Sequence, residues 1–387
     1  MKLLLTADWH LDRNNRLEDF ISAIGFITTY AVEERIEHVC ILGDIYRDWM
    51  PSSVERMAFH HALKALVDNK IFTTIVLGNH DINEKQTNFF QHALSEFVGI
   101  SNPLIRFVYE SPKLIDFAGH SVLAIPHLSR AYTKDLMLQR EAFSAALTRF
   151  SGQYELAVGH ALIFDAIDGA CNPEDPRGLH LKDISPLLTA PLFLGDIHAQ
   201  KIVNTQPLIA YTGSPERVTF NEIEQTKGFL VYDLSLKSPQ FVSVPARKFF
   251  QINVDMDSRE FSFKGAGGAG SMPLGSGDTT NSLVSVIKAA AEVISGAVVK
   301  LVVTGHIKDL GVINRAAIIA QLKLCSPYKI AKISFVCNDN TVARDTAFTE
   351  QLTPGDAFNR WADKQNYQDI QLQASVLSAG RELLNAI

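Results

Sequence analysis

The sequence predicts an α/β protein with a largely parallel sheet, and three features of its pattern support this. Short apolar runs alternate with helical stretches through the first half of the chain. Each run ends abruptly in polar residues, as buried strands do where they leave a sheet. A segment rich in glycine and serine then precedes a further strand and helix unit. This alternation favours a layered α/β fold.

The predicted strands of the first half are apolar runs bounded by polar groups. They are Lys2–Ala7, His38–Leu42, Phe72–Leu77, Glu155–Val158 and Pro191–Leu194. Apolar residues at helical spacing predict one helix over Leu17–Ile36 and another over Ser53–Lys70. Residues 202–245 change character and are typical of short strands joined by turns.

The last third is predicted to hold a compact α/β unit and a helical tail. Its first part, Gly265–Thr280, is rich in Gly and Ser and predicts a flexible loop. The elements expected after it are a helix over Asn281–Ser295, a strand over Val298–Thr304, a helix over Val312–Leu324 and a strand over Lys329–Val336. The predicted domains are 1–245, 246–338 and the tail 339–387.

Length and composition are those of a globular protein with room for two or three domains: 387 residues, 47% hydrophobic and 20% charged. No apolar run approaches the ~20 residues of a membrane span. The apolar start, Met1–Ala7, is too short for a signal peptide. Cys40 and Cys337 lie in apolar runs and are predicted to be core residues in a reducing compartment. We therefore expect a cytoplasmic protein.

Chemistry is predicted where five strands end. The residues there are Asp8, His10, Asp44, Asn79, His80, Asp81, His160, Asp196 and His198. Ligands of open α/β sheets bind beyond the carboxyl ends of the strands, so these side chains should converge. Glycine precedes four of the five groups and allows close backbone approach. A single Asp-x-His or Gly-Asp means little, but five such groups that each end an apolar run form a specific pattern.

The residue types suit a pair of metal ions. Carboxylate, imidazole and amide oxygen are ligands for Mn²⁺, Fe²⁺ or Zn²⁺, and carboxylates favour the harder ions. Two cations ~3.5–4 Å apart can clamp a phosphodiester, activate water and stabilise the leaving oxygen. One carboxylate must lie between the ions, and Asp44 is the natural bridge. The role of Asp81 stays open, because this residue either joins the site or orients a neighbour.

With these motifs the sequence resembles the calcineurin-like metallophosphoesterase superfamily. Three later segments are similar to the SbcD-type DNA repair nucleases of bacteria and phages: Tyr211–Glu222, Lys227–Phe229 and Arg247–Val254. The resemblance is good from Met1 to about Asp255 and is mainly architectural beyond. It implies a four-layer α/β/β/α sandwich with a small α/β capping domain and a helical C-terminal tail.

The resemblance implies a role for each matching residue. One cation would be held by Asp8, His10, Asp44 and His198, and the other by Asp44, Asn79, His160 and Asp196. His80 would protonate or stabilise the leaving oxygen.

The chain departs from the family at two positions. The family usually has histidine where this chain has Asp196, and it often has histidine where this chain has Arg47. Asp196 either ligates the second ion and favours Mn²⁺, or hydrogen-bonds a ligand and leaves that ion weaker. Arg47 either contacts a DNA phosphate or is an ordinary surface arginine. Arg217, Lys201 and Lys227 are further candidate phosphate contacts.

The resemblance also implies an activity and partners. The activity would be hydrolysis of DNA in repair and recombination, as an exonuclease on duplex ends and an endonuclease on single strands. It would use two divalent cations, with Mn²⁺ as the favoured metal and Mg²⁺ or Fe²⁺ as alternatives. An SbcC-like ATPase would dock on the tail, and a second copy could form a homodimer. The tail residues expected to dock are Phe358, Trp361, Leu372, Leu377 and Leu383, unless they pack on the chain's own core.

Two other functions remain open from the sequence. The first is a phosphatase or phosphodiesterase that uses the same metal site on a substrate other than DNA. The second is a DNA-binding scaffold whose metal site is impaired by Asp196.

Overall fold

The computed structural model describes residues 1–83, 92–98, 102–128, 139–167, 175, 178–265, 268–274 and 278–338, and residues 358–359, 362, 374–375 and 377–380 of the tail. Its strands are β1 (Lys2–Thr6), β2 (His38–Leu42), β3 (Phe72–Val76), β4 (Ile105–Val108), β5 (Lys113–Phe117), β6 (His120–Ile125), β7 (Leu156–His160), β8 (Leu162–Ile163), β9 (Gly178–Leu179), β10 (Leu192–Gly195), β11 (Lys201–Thr205), β12 (Leu208–Tyr211), β13 (Gly228–Asp233), β14 (Ser238–Ser243), β15 (Phe249–Asp255), β16 (Glu260–Gly265), β17 (Gly268–Pro273), β18 (Val298–Gly305) and β19 (Lys329–Cys337). Its helices are α1 (Leu17–Glu33), α2 (Ser53–Asp68), α3 (Ser95–Val98), α4 (Gln139–Arg149), α5 (Leu181–Ile184), α6 (Thr279–Ala289), α7 (Ala291–Ile294), α8 (Ile307–Gly311) and α9 (Arg315–Leu324).

Two six-stranded sheets form the first part of the molecule. The first has the order β14-β13-β1-β2-β3-β4, and the second has the order β11-β12-β10-β7-β6-β5. Strands β1 to β4 are parallel to one another, as are β6, β7, β10 and β12. The five predicted strands are β1, β2, β3, β7 and β10, with ends that differ from the prediction by at most two residues. The sequence did not predict β4, β5 and β6.

The two sheets pack face to face, with helices on both outer sides. Alternate residues of β1 and β2, such as Leu3 and Cys40, meet Val158 and Phe193 of the second sheet in one apolar cluster. The intervening residues of β1 and β2 pack on α1 and α2 in a second cluster. The outer face of the second sheet packs on α4. This is the predicted four-layer α/β/β/α sandwich, and the fold class is confirmed.

A third sheet of order β17-β16-β15-β18-β19 has an apolar cluster of its own with α6 and α9. Part of the stretch predicted as a flexible loop is here a strand, so that prediction was wrong for Gly268–Pro273. An added Cβ on Gly270 would meet the ring of Phe263, so the missing side chain leaves room for the aromatic ring of the neighbouring strand. The expected boundary at residue 245 falls between β14 and β15.

Two arginines, the buried Arg16 and the half-buried Arg247, join the third sheet to the sandwich. The Arg16 side chain pairs with Asp19 at 3.1 Å and Glu216 at 3.5 Å, and its guanidinium lies 4.7 Å from the ring centre of Phe249 in β15. Arg247 donates to the Asp19 carboxylate at 2.7 Å and to the backbone oxygen of Gly296 at 3.1 Å. Charge-assisted bonds in a poorly solvated joint are strong and directional.

Some expectations about single residues need correction. Cys337 is exposed, unlike buried Cys40, because it ends an edge strand. His92 is buried, and its Nδ1 accepts from the N–H of Leu94 at 3.2 Å. In the tail, Trp361, Leu372 and Leu383 lie outside the described residues. Within the described part of the chain, no helix has the length and apolarity needed to cross a membrane.

Candidate metal centre

The loops that follow β1 and β2 are tied together at the carboxyl end of the first sheet. The N–H of Asp8 donates to the carbonyl of Gly43, and that of His10 donates to the carbonyl of Asp44, both at 3.0 Å. Asp8, His10 and Asp44 have φ of 54°, 43° and 51°, and Asp196 has φ of 106°. Residues other than glycine seldom adopt positive φ, and where they do so together the surrounding structure imposes it.

Close backbone approach requires glycine at the ends of β2 and β3. An added Cβ on Gly43 would overlap Nδ1 of His160, and one on Gly78 would overlap a carboxylate oxygen of Asp44. Gly43 also has φ of 86°, which favours glycine. The glycines expected to allow close approach therefore lie where side chains from both sheets meet.

One group of possible metal ligands consists of Asp8, His10 and His198, whose ligand atoms lie within 4.8 Å of one another. Asp8 and His10 are buried. The Nε2 atoms of His10 and His198 are 2.9 Å apart. Nδ1 of His198 faces a carboxylate oxygen of Glu222 at 3.0 Å, so its Nε2 is left towards the site.

A second group consists of Asp8, Asp44 and His160, again within 4.8 Å. Nδ1 of His160 is 2.7 Å from the carbonyl oxygen of Leu42, which can only accept, so Nδ1 carries the proton. Nε2 of His160 then faces Oδ1 of Asn79 at 2.9 Å and Oδ1 of Asp196 at 3.8 Å.

Asp44, a member of the second group, lies between the histidine His10 of the first group and the histidine His160 of its own. Its Oδ2 is 3.6 Å from Nε2 of His10, and its Oδ1 is 3.5 Å from Nε2 of His160. Each carboxylate oxygen thus faces a histidine of a different group, which is the placement that a bridging carboxylate needs. Asp8 belongs to both groups of ligand atoms as well, and its carboxylate accepts the N–H of Asp196 at 3.1 Å.

His80 lies beside these groups. Its backbone N–H donates to Oδ1 of Asp44 at 2.9 Å, and Nδ1 of its ring donates to the carbonyl oxygen of Arg47 at 3.1 Å. The ring centres of His80 and His10 are 5.1 Å apart. Burial, with the charge of Arg47, lowers the pKa of His80. Arg47 itself is exposed at the edge of the site.

Burial strongly perturbs the charges of the site. It raises the pKa of Asp8 and holds that of Asp44 well above its usual range. Burial also opposes charge on His160, but the carboxylates of Asp44, Asp196 and Asp8 raise the pKa of this histidine to about 9. Converging buried carboxylates that shift one another's pKa are typical of functional sites.

The donor set fits divalent cations. Buried carboxylates lose their hydration, and a coordinated cation replaces it. Asp8, Asp44 and Asp196 carry three negative charges when ionised, so two divalent cations leave a net charge of +1, which suits an anionic phosphodiester. Nitrogen and oxygen donors in this mixture suit Mn²⁺, Fe²⁺ or Zn²⁺.

Asp81 does not face the ligand groups. Its carboxylate accepts the N–H of Ile45 at 3.0 Å, that of Tyr46 at 3.2 Å and that of Gly78 at 3.0 Å. It therefore joins the loops after β2 and β3, which carry Asp44 and Asn79. Of the two interpretations left open by the sequence, the orienting one agrees with these contacts.

The structure does not favour DNA contacts for two of the predicted basic residues. Arg217 is buried, and its guanidinium donates to the carbonyls of Arg247 at 2.9 Å and Gln225 at 2.7 Å. Lys227 is 1% exposed and pairs with Glu222 at 2.6 Å. Both cations are used inside the protein, so the prediction that they contact phosphate needs correction.

Sequence reasoning missed several residues around the site. His127 follows β6 and is buried, with its ring centre 6.4 Å from that of His160. The sequence signal for His127 was an apolar run that ends at Ile125 and is followed directly by Pro and His. Glu222 and Lys227 lie in the motifs given above, but their contact with His198 joins residues 24 and 29 positions apart, which no local pattern shows.

The calcineurin-like phosphoesterase family matches residues 1–200, which is more than half of the chain. The chain belongs to this family. The matched part contains all the proposed metal ligands, from Asp8 to His198, and both sheets except β11 to β14. Asp8, His10, Asp44 and His198 are therefore residues of a calcineurin-like phosphoesterase domain.

The curated relatives of this phosphoesterase include proteins named as the SbcD component of the nuclease SbcCD. That of Staphylococcus epidermidis is 23% identical over 263 residues, and that of Bacillus subtilis is 25% identical over 262 residues. Each alignment covers 60% of this chain and 66% of the relative, so the chain spans just under two thirds of these relatives. A dimetal phosphatase from Danio rerio is 12% identical over 70% of this chain and 98% of its own, with a TM-score of 0.36.

Proposed function

We propose that this phosphoesterase is a Mn²⁺-dependent DNA nuclease and the nuclease subunit of an SbcCD-like complex. The observation that carries the proposal is the placement of Asp44 between two groups of ligand atoms, with His80 beside it. The names of the curated relatives supply the substrate class. The proposed actions are exonuclease cleavage of duplex ends and endonuclease cleavage of single strands, with an SbcC-like ATPase and a second copy of the chain as partners.

The proposed ligands form a first and a second group, one for each cation, and they extend the two sets of converging ligand atoms. Asp8, His10 and His198 would hold one cation, Asn79, His160 and Asp196 the other, and Asp44 would touch both. Bound there, the cations supply Lewis acidity toward the phosphoryl oxygens. Leu42 fixes the tautomer of His160 through its carbonyl oxygen, so that Nε2 would be free to bind the cation.

His80 would move the proton that the leaving oxygen needs. Its Nδ1 is held by the carbonyl of Arg47, so Nε2 is the nitrogen that can bind and release a proton. General acid catalysis of this kind contributes about 10²–10⁴-fold to a rate. The exposed Arg47 is the proposed contact for a DNA phosphate.

The test uses the full chain with Mn²⁺ and end-labelled duplex and single-stranded DNA, beside His80→Asn and the exposed control His61→Gln. We expect the parent and the His61 variant to cleave, EDTA to stop them, and the His80 variant to lose about 10²–10⁴-fold in rate while it still binds Mn²⁺. Hydrolysis of p-nitrophenyl phosphate without DNA cleavage, even with a partner ATPase, would indicate the phosphatase instead. DNA binding without bound Mn²⁺ would indicate the scaffold.

A further inference from the structure

His198 is held by its main chain and by its ring at once. Its carbonyl oxygen accepts the N–H of Ser214 and Nζ of Lys227, both at 3.0 Å. Nδ1 of its ring donates to Oε1 of Glu222 at 3.0 Å. The residues that do this, Ser214, Glu222 and Lys227, all lie beyond residue 200, where the match to the family ends.

The Glu222 carboxylate is itself held by several donors. It accepts the N–H of Val218 at 3.1 Å and that of Thr219 at 3.0 Å, and it pairs with Nζ of Lys227 at 2.6 Å. The side chain of Glu222 is 5% exposed and that of Lys227 is not exposed. A buried carboxylate with this many donors cannot turn away without leaving donors unpaired, which is costly.

These contacts determine which nitrogen of His198 is free. A carboxylate only accepts, so Nδ1 of His198 carries the proton and the neutral ring presents the lone pair of Nε2. That Nε2 faces His10 in the first ligand group. We propose that Glu222 is a positioning residue that fixes His198 with Nε2 towards the cation, and that Lys227 keeps Glu222 in place. This positioning role of Glu222 rests on the proposed function, because it requires a cation to bind at Nε2 of His198.

A purely structural role for Glu222 is the rival explanation. Glu222 also forms a capping box with Thr219 at the start of the short helical turn Phe220–Glu222, and its Oε1 accepts Oγ1 of Thr219 at 3.1 Å. A structural role predicts a change in stability alone. A positioning role predicts, in addition, a change in the tautomer of His198 and in the first cation's affinity.

Two measurements on the full chain separate these roles. Two-bond ¹H–¹⁵N spectra of ¹⁵N-histidine protein without metal report the His198 tautomer, assigned through the variant His198→Gln. Titration with Mn²⁺, followed by electron paramagnetic resonance of the free ion, gives the number of bound ions and each affinity. The variants are Glu222→Gln, which removes the charge at constant size, and Glu222→Asp, which keeps the charge but shortens its reach to His198. Thr219→Val removes one capping bond, and Glu224→Gln is the exposed control.

We expect the parent to show His198 with the proton on Nδ1. Both Glu222 variants should show a mixture of tautomers and about 10–100-fold weaker binding of one Mn²⁺, the loss seen when an orienting partner of a metal ligand is removed. Thr219→Val should lower the Tm and leave tautomer and Mn²⁺ binding unchanged, and Glu224→Gln should match the parent. If Glu222→Gln fails to fold, Glu222→Asp alone decides.

Two results would overturn the role of Glu222: a parent tautomer with the proton on Nε2, or folded Glu222 variants with the tautomer and Mn²⁺ affinities of the parent. Mn²⁺ binding by a parent that does not cleave DNA would contradict the proposed nuclease and leave the positioning role supported by its own readouts. A parent that binds no Mn²⁺ would overturn both.

Discussion

The two groups of proposed ligands orient their histidines by different means. His160 is fixed by a main-chain oxygen, that of Leu42 in β2, at 2.7 Å. His198 is fixed by a side chain, the carboxylate of Glu222, which Lys227 must hold in turn. A carbonyl in a central strand is placed by the sheet itself, so no side-chain substitution at Leu42 removes it. The first group instead depends on two residues outside the segment that matches the family.

The groups are alike in exposure, since each combines a buried histidine with a ligand that water can reach. The first group has His10, which is 1% exposed, and His198, whose side chain is 23% exposed. The second group has His160, which is 0% exposed, and Asp196, whose side chain is 23% exposed. We expect the cation of the second group to be the one whose affinity responds more to substitution at Asp196, and the first cation to respond more to substitution at Glu222.

The largest effect is expected where the comparison breaks down, at Asp44, which faces both groups. Asp44→Asn keeps the acceptor for the N–H of His80 but removes the charge between the two histidines. Stabilisation by a metal ion is worth several kcal/mol, so DNA cleavage should fall about 10³-fold or more. Mn²⁺ titration should show weaker binding of both ions. A variant that cleaves within threefold of the parent, like the exposed control Asp116→Asn, would contradict the bridging role.

A smaller and more selective effect is expected at Asp196. Asp196→Asn removes one negative charge near Nε2 of His160 and leaves His10 and His198 untouched. One of the two Mn²⁺ ions should bind about 10–100-fold more weakly, and the other should bind as in the parent. The same titration of Asp183→Asn, an exposed aspartate on α5, provides the control. Unchanged binding of both ions would leave Asp196 as a hydrogen-bonding neighbour only.

The smallest effect concerns a buried histidine outside the proposed metal centre. His38 packs on Phe72 and bonds Thr74 at 2.8 Å, and burial lowers its pKa to about 3. Its unfolded pKa is ~6.5, so below that pH the unfolded chain binds a proton that the folded chain excludes. The contribution of neutral His38 to the free energy of unfolding is therefore fully present above pH ~6.5. It is lost as the pH falls towards 3, by about 1.4 kcal/mol per pH unit at most.

His38→Gln should therefore flatten the acid side of the stability profile while it lowers stability at pH 8 through lost packing. Urea unfolding of parent and variant at pH 8 and pH 5, without metal, measures both effects. An unchanged difference in unfolding free energy between the two pH values would show that His38 does not cause the acid sensitivity. The result also separates the titration of the fold from that of the metal site.

The sequence could single out most of the proposed ligands because each follows a strand in its own short motif. His160 ends β7, and Asp8 and Asp44 follow the ends of β1 and β2 by two residues. Parallel strands bring their carboxyl ends to one edge. It could not predict Asp81 as a link between two loops, because one of the N–H groups that it binds lies 36 residues away along the chain. Arg217 was misread for a related reason, since charge in a sequence does not reveal burial.

The sequence by itself determined the α/β class, the five central strands and the identity of the proposed ligands, since apolar periodicity and polar strand ends are local properties of the chain. Tertiary structure alone decided that Asp44 lies between two histidines, that Lys227 pairs with Glu222 instead of facing solvent, and that the glycine-rich segment Gly268–Pro273 forms a strand. Asp44 meets His10 and His160 from distant parts of the chain. The partners of Lys227 and of Gly268–Pro273, Glu222 and β16, are near in sequence. Burial of a charge and pairing of a strand nevertheless depend on the surrounding structure, which local composition does not record.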